Sequence, residues 1–301
     1  GQLRPTGGRT HLSIFWWAQE AGWSNPSGRD YGAASAPNAQ QGAAGAAVVP
    51  AGEELDEAEL EAVLAELSKS PQAEPEFDPG LVEGAGGLMA DFARWVVDSA
   101  LYPQPELALA TAVSLAGALY GRRFRTVTDA RSNFLVAGLA GTGSGKEHRR
   151  KCARKLLREA GAEHLLGAPD FASGPATRQA LSEQPCQLFR LDEFGDLLQG
   201  MTSPRAPHHV QQIVKVMKEV ESSAGDVMTG TAYASPDRPR QDVTDPHMVV
   251  YATTTLEGFT AALRSSKVMD GFLNRWLLVR GRDEVPRRLR APGAALPPEG
   301  L

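Results

Sequence analysis

Residues 133–147, N-F-L-V-A-G-L-A-G-T-G-S-G-K-E, constrain this chain more than any other stretch. The apolar run over 134–139 predicts a buried strand. It ends in Gly141-Thr142-Gly143-Ser144-Gly145, which delivers Lys146 to the start of a basic helix. Glycines let successive backbone N–H groups curl around an anion, a helix N-terminus adds positive potential, and a lysine neutralises phosphate oxygens. That order is what a phosphate-binding loop requires. The pattern G-x-x-x-x-G-K-[ST] is met in part, because Ala140 stands at the first glycine position and Glu147 where a magnesium-ligating hydroxyl is expected. An ordinary strand-to-helix turn is the competing reading of the same residues.

A second signal follows some forty residues later. Leu188-Phe189-Arg190-Leu191-Asp192-Glu193 reads as an apolar strand ending in two carboxylates, with Phe194-Gly195 leaving the sheet. In phosphoryl transfer to water, the first carboxylate of such a pair holds magnesium and the second orients or deprotonates the attacking water. Together the two signals predict hydrolysis of a nucleoside triphosphate such as ATP, with Mg2+. Residues 248–255, M-V-V-Y-A-T-T-T, predict an apolar strand ending in hydroxyls. Beside the acidic strand it would aim a polar side chain at the terminal phosphate or the water; otherwise it is a core strand entering a Thr-rich turn. In residues 270–279, D-G-F-L-N-R-W-L-L-V, Arg275 sits among apolar neighbours. Such an arginine can donate to a phosphate in its own subunit or across an interface, or can be a structural, salt-bridged residue.

The order Gly-Ser-Gly-Lys, Leu-Asp-Glu-Phe-Gly, Ala-Thr-Thr-Thr and Gly-Phe-Leu-Asn-Arg-Trp-Leu-Leu-Val resembles the AAA+/RecA-like ATPases of prophages, plasmids and other mobile elements. Members of that family are often joined to a primase module and assigned as replicative helicases. The segment from Pro103-Gln104-Pro105 to Gly121-Arg122-Arg123 is similar to the family's helical lead-in, so the resemblance spans roughly residues 78–282. It implies that Ala140 to Glu147 bind nucleotide, with Lys146 as the phosphate lysine. It further implies Asp192 as the magnesium ligand, Glu193 as the base, Thr254 as the sensor and Arg275 as an arginine finger. DNA, further copies of the chain in a ring, and a primase module are the partners it implies.

Composition narrows the setting. With 301 residues, 42% hydrophobic and 22% charged, the chain can bury one sizeable core with appendages. No run of 18 apolar residues is present; residues 107–119 come nearest and read as a buried helix. Cys152 and Cys186 are too few and too far apart for a disulfide framework or zinc site. With no cationic leader at Gly1, the expectation is a cytoplasmic protein without a membrane partner. Residues 1–80 hold 4 Lys/Arg against 12 Asp/Glu, and the remainder 27 against 24, too slight an excess to argue nucleic-acid binding. Local clusters at His148-Arg149-Arg150-Lys151, at Arg122-Arg123 and beyond Arg280 read equally as phosphate-facing groups or solvated faces.

Residues 1–23 carry an aromatic helical segment, H-L-S-I-F-W-W-A-Q-E-A-G, which reads as the tail of a primase module or a docking element. Residues 24–77 read as linker around a short acidic amphipathic helix over 53–68. The ATPase domain is expected over 78–285, and residues 286–301 as a disordered tail. Within the domain, helices are expected over 89–101, 106–120, 146–160, 177–182 and 209–222. A strand or hairpin arm is expected over 226–233, a loop over 235–245, and His208-His209 in an exposed loop. Alternating strands and helices predict an α/β three-layer domain with a largely parallel sheet, of P-loop NTPase type and preceded by a helical lead-in. Two other functions fit less of the pattern: a nucleotide-dependent interaction module with weak or no hydrolysis, for which Glu147 speaks, and a P-loop kinase.

Overall fold

Strands buried on both faces, their side chains alternating between two cores, build the domain. The computed structural model describes residues 77–203, 205–230, 240–263, 272–282, 285–289, 297–298 and 300–301. All belong to the second of two units, Glu54–Leu301. The aromatic segment over 1–23 and the acidic helix over 53–68 lie outside the described residues.

Helix α1 (Gly80–Gly84) leads into α2 (Gly87–Ser99) and α3 (Pro105–Tyr120), then strand β1 (Leu135–Leu139) and helix α4 (Lys146–Glu159). Next come α5 (Gly174–Glu183), β2 (Cys186–Leu191), α6 (Phe194–Thr202) and α7 (His208–Ser222). The short strands β3 (Val227–Met228) and β4 (Val243–Thr244) precede β5 (His247–Thr254), α8 (Leu256–Leu263) and β6 (Trp276–Arg280). The main sheet has the order β2-β5-β1-β6, and every pairing in it is parallel. The chain is therefore α/β, as its alternating pattern predicts.

Successive strand residues point to opposite faces. Leu135, Ala137 and Leu139 of β1 join Phe189, Leu191, Val250 and Ala252 in one core, packed with α6, α7 and α8. Val136 joins Leu188, Val249 and Tyr251 in the other, packed with α2, α3 and α4. Both sheet faces are covered, which is why these strands read as continuous apolar runs. Helix α3 enters on Pro105, whose missing N–H costs nothing at a helix start, and most of its residues are buried. Helix α5 is capped by Ser173, whose hydroxyl accepts from the Ala176 N–H at 3.2 Å.

Several expectations need correction. Residues 80–84 form a short helix of the lead-in, ahead of the first helix expected at 89. His208 and His209 open α7 instead of lying in a loop, although both remain exposed. Within the expected loop, Val243 is buried and pairs with Met228, so β4 closes a two-stranded antiparallel ribbon. Only Val227 and Met228 of the 226–233 arm are strand, and 231–233 lie outside the described residues. The tail is anchored at Arg288. Its N–H donates to the Leu101 carbonyl at 2.9 Å and its Nη1 to the Val97 and Asp98 carbonyls at 2.8 and 3.0 Å. Val97 and Asp98 lie in the last turn of α2, where the Val97 carbonyl also accepts from the capping Ala100 N–H at 3.4 Å, so a cation there adds hydrogen bonds and suits the helix dipole.

Cys152 and Cys186 are free and buried, and burial pushes both thiols up to about 11. Among the described residues no helix is long and apolar enough to cross a membrane.

The closest backbone approach beside the acidic strand lies between α6 and α8. A Cβ on Gly195 would sit 2.7 Å from the Gly258 carbonyl carbon and 2.9 Å from the Thr254 hydroxyl oxygen. Backbone cannot step aside cheaply, so Gly195→Ala is expected to cost about 1–3 kcal/mol in urea unfolding. Gly200→Ala, where a Cβ meets nothing within 4 Å, serves as the control and should be close to neutral.

Candidate functional site

The parallel sheet brings three strand ends to one edge. β1 runs into the glycine loop, and the Ala140 N–H donates to the Thr254 carbonyl at 3.1 Å, fastening the loop's root to the end of β5. Gly143 and Gly145 adopt φ of 76° and 75°, a region that side chains resist. At Gly145 a Cβ would also come within 3.1 Å of Tyr102, so glycine is required there twice over. Buried Gln104, ahead of α3, donates from Nε2 to the Ser144 carbonyl at 3.0 Å and steadies the loop from below.

Lys146 is the first residue of α4 and is partly buried. Its Nζ reaches the Ala140 carbonyl at 3.4 Å, and among the described residues it forms no ion pair. Burial holds its pKa below the ordinary lysine value, and Arg149 and Arg150 push the same way while Asp192 and Glu193 oppose. Arg149, one helical turn on, is 1% exposed, and its Nε and Nη2 have no hydrogen-bond partner. Among the described residues neither cation pairs with a carboxylate, and Lys146 at the helix N-terminus is suited to an anion.

Across the edge, Asp192 follows β2. Burial raises its pKa, but the Thr253 hydroxyl (3.0 Å to Oδ1), the Arg150 charge and the Glu193 N–H (3.1 Å) outweigh that and hold it below the usual range. Arg150 Nη2 donates to Asp192 Oδ2 at 2.6 Å and also to Glu147 Oε2. Glu147 itself is about half exposed. Glu193 is exposed and left-handed, with φ 49° and ψ 40°, at the residue preceding α6. A cavity of about 610 Å³ opens beside Gly141 and Thr142, bounded by Thr255, Leu256, Glu257 and Thr260.

Magnesium is tested by the donors present. Glu147 and Asp192 offer carboxylate oxygens that converge on one guanidinium nitrogen, a hard-oxygen pair of the kind Mg2+ accepts. No group of three or more His, Cys, Asp or Glu side chains converges among the described residues. Mg2+ would therefore rest on Asp192, with Glu147 in reach, and draw its other ligands from nucleotide and water.

Two expectations change. Thr254 is buried, and its hydroxyl accepts from the Gly195 N–H at 3.2 Å, on the α6 side of the sheet. Thr253, pointing to the opposite face, is the hydroxyl that meets Asp192. Arg275 does not share the loop's edge. It precedes Trp276, which is in register with Leu135 at the entering end of β1, whereas Arg280 is level with Leu139. Five residue steps separate it from Arg280, roughly 16 Å from the loop end of the sheet, and it pairs with Glu221 of α7. It cannot serve a phosphate on its own loop.

Thr253 and Gln104 were not singled out in the sequence, and Arg149 and Arg150 only as members of a basic cluster. For Arg150 a signal existed: it lies three residues after Glu147 on a helix, where opposite charges meet. No protein-family model matches the chain, and no curated protein matches it.

Glu193 offers a direct test of the local backbone. A left-handed conformation costs a side-chain-bearing residue about 1–2 kcal/mol, more when it is β-branched. Glu193→Gly is expected to unfold within about 0.5 kcal/mol of the parent, strain relief offsetting glycine's entropy, while Glu193→Val should lose about 1–2 kcal/mol. Urea titration of both variants checks this.

Proposed function

We propose that this chain binds a nucleoside triphosphate, with ATP as the reference substrate, on residues Ala140 to Glu147 and hydrolyses it as a P-loop ATPase. The observation that carries the reading is the sheet order. β5 separates the loop strand from the acid strand, so Lys146, Thr253, Asp192 and Glu193 face one edge from three strand ends. Ligands of open α/β sheets bind outside the carboxyl ends of the strands.

Phosphoryl transfer to water asks mainly for positioning and charge neutralisation. Loop N–H groups and Lys146 bind the phosphate oxygens and draw charge toward the leaving side. Mg2+, when bound at Asp192, neutralises the phosphates further. Thr253 fixes the Asp192 carboxylate through Oδ1 and leaves Oδ2 facing Arg150. Glu193, held outward by its left-handed backbone, accepts the proton of the attacking water. Arg275, at the far edge of the sheet, can reach a phosphate only on a second copy, which favours an oligomer, ring-shaped in the resembling family.

Motor action on DNA, a primase partner and a cytoplasmic setting rest on the resemblance alone. A second reading, nucleotide-dependent interaction without turnover, is favoured by one observation: Arg150, itself paired with Glu147, already engages Asp192, the residue that would hold the metal.

Hydrolysis of ATP by the purified chain with magnesium, with and without single-stranded DNA, tests the proposal. Turnover stimulated by DNA and reduced about 10²–10⁴-fold in Glu193→Gln is expected for a motor ATPase. Saturable binding without turnover under either condition would favour the interaction module instead.

A further inference from the structure

Glu147 poses a problem for the site just proposed. At the second position of α4 a carboxylate suits the helix dipole, yet it stands beside the loop that is to receive phosphates. A free carboxylate there repels them. Arg150 lies one turn away and uses a single terminal nitrogen to meet both Glu147 and Asp192. Its side chain is 14% exposed, against 55% for Glu147 and 50% for Asp192, so the cation is the covered member of the trio. The helix under it is held as well, because Arg190 Nη1 donates to the Arg150 carbonyl at 3.1 Å. Exposed ion pairs contribute little. A covered guanidinium shared by two carboxylates differs, since its removal leaves two like charges facing across the gap it filled.

We propose that Arg150 is a positioning residue for the phosphate site. It is a built-in counter-ion that neutralises Glu147 and pins its carboxylate against the Asp192 side, leaving the loop N–H groups and Lys146 unopposed for the anion. The inference rests on the reading of the loop as a nucleotide site. It explains how a loop can carry an acid where the usual pattern has a hydroxyl: the acid is paired with its own cation at helical spacing.

The test is a double-variant cycle of Arg150→Ala, Glu147→Gln and the two combined, read in two ways. Affinity for a fluorescent ATP analogue in magnesium is expected to fall about tenfold in Arg150→Ala and to return to within about threefold of the parent in the double variant. The melting temperature of the nucleotide-free protein should fall by about 2–4 °C in Arg150→Ala and largely recover in the double variant. Binding in Arg150→Ala as tight as the parent or tighter overturns the proposal, because Arg150 would then obstruct the site. A double variant as weak as Arg150→Ala also overturns it and assigns Arg150 to direct phosphate contact. If the parent binds no nucleotide, the loop reading fails on its own. The melting cycle then decides, and the absence of recovery there rules out the counter-ion.

Discussion

Parallel pairing of β1 with β5 is the constraint from which the site follows. Leu139 stands opposite Thr254, and the next amide, Ala140, closes the ladder onto the Thr254 carbonyl. On its other side β5 holds β2 with Leu191 opposite Ala252, so Asp192 emerges level with Thr253. A slip of one residue would turn every β5 side chain to the opposite face and take the Thr253 hydroxyl away from Asp192. Burial on both faces forbids the slip, because all eight residues of β5 are buried. The same apolar packing that stabilises the domain therefore sets the registration of its polar edge.

That edge is electrically divided. Lys146, Arg149 and Arg150 stand within about one turn of a helix N-terminus, facing Glu147, Asp192 and Glu193. Arg150 is spent on two of the acids, whereas among the described residues Lys146 and Arg149 pair with no carboxylate. Burying a cation without a partner is costly, and Lys146 shows the cost as a lowered pKa. An anion delivered to the loop would relieve the Lys146 cation at its foot.

Much of the fold was legible because β1, β2 and β5 are apolar runs bounded by glycine or carboxylates, and α3 and α7 repeat apolar residues at helical spacing. The short ribbon of β3 and β4 was not, since two-residue strands carry no periodicity. Arg287-Arg288 looks solvated in sequence, while in space Arg288 bonds to carbonyls at the end of α2. Of the adjacent threonines, Thr253 meets Asp192 and Thr254 meets the Gly195 N–H: adjacent strand residues point to opposite faces, and sequence alone does not say which face meets the acid. Of the two placements open to Arg275, its own subunit or across an interface, the sheet register leaves only the second. Its apolar neighbours are real, but they mark the entering end of a parallel strand, whereas the loop lies at the exit. A run such as His148-Arg149-Arg150-Lys151 conceals three fates, from buried cation to shared counter-ion to solvated lysine, because helical rotation separates what the sequence lists together.

Calorimetric titration of ATP into the nucleotide-free protein, beside Lys146→Ala, tests the central claim most directly, since it asks whether the glycine loop and its lysine receive a triphosphate at all. The account predicts saturable binding at one site per chain in the parent and its loss in the variant, with both proteins melting alike before ligand is added. Absence of binding in the folded parent, or equal binding by Lys146→Ala, would contradict it.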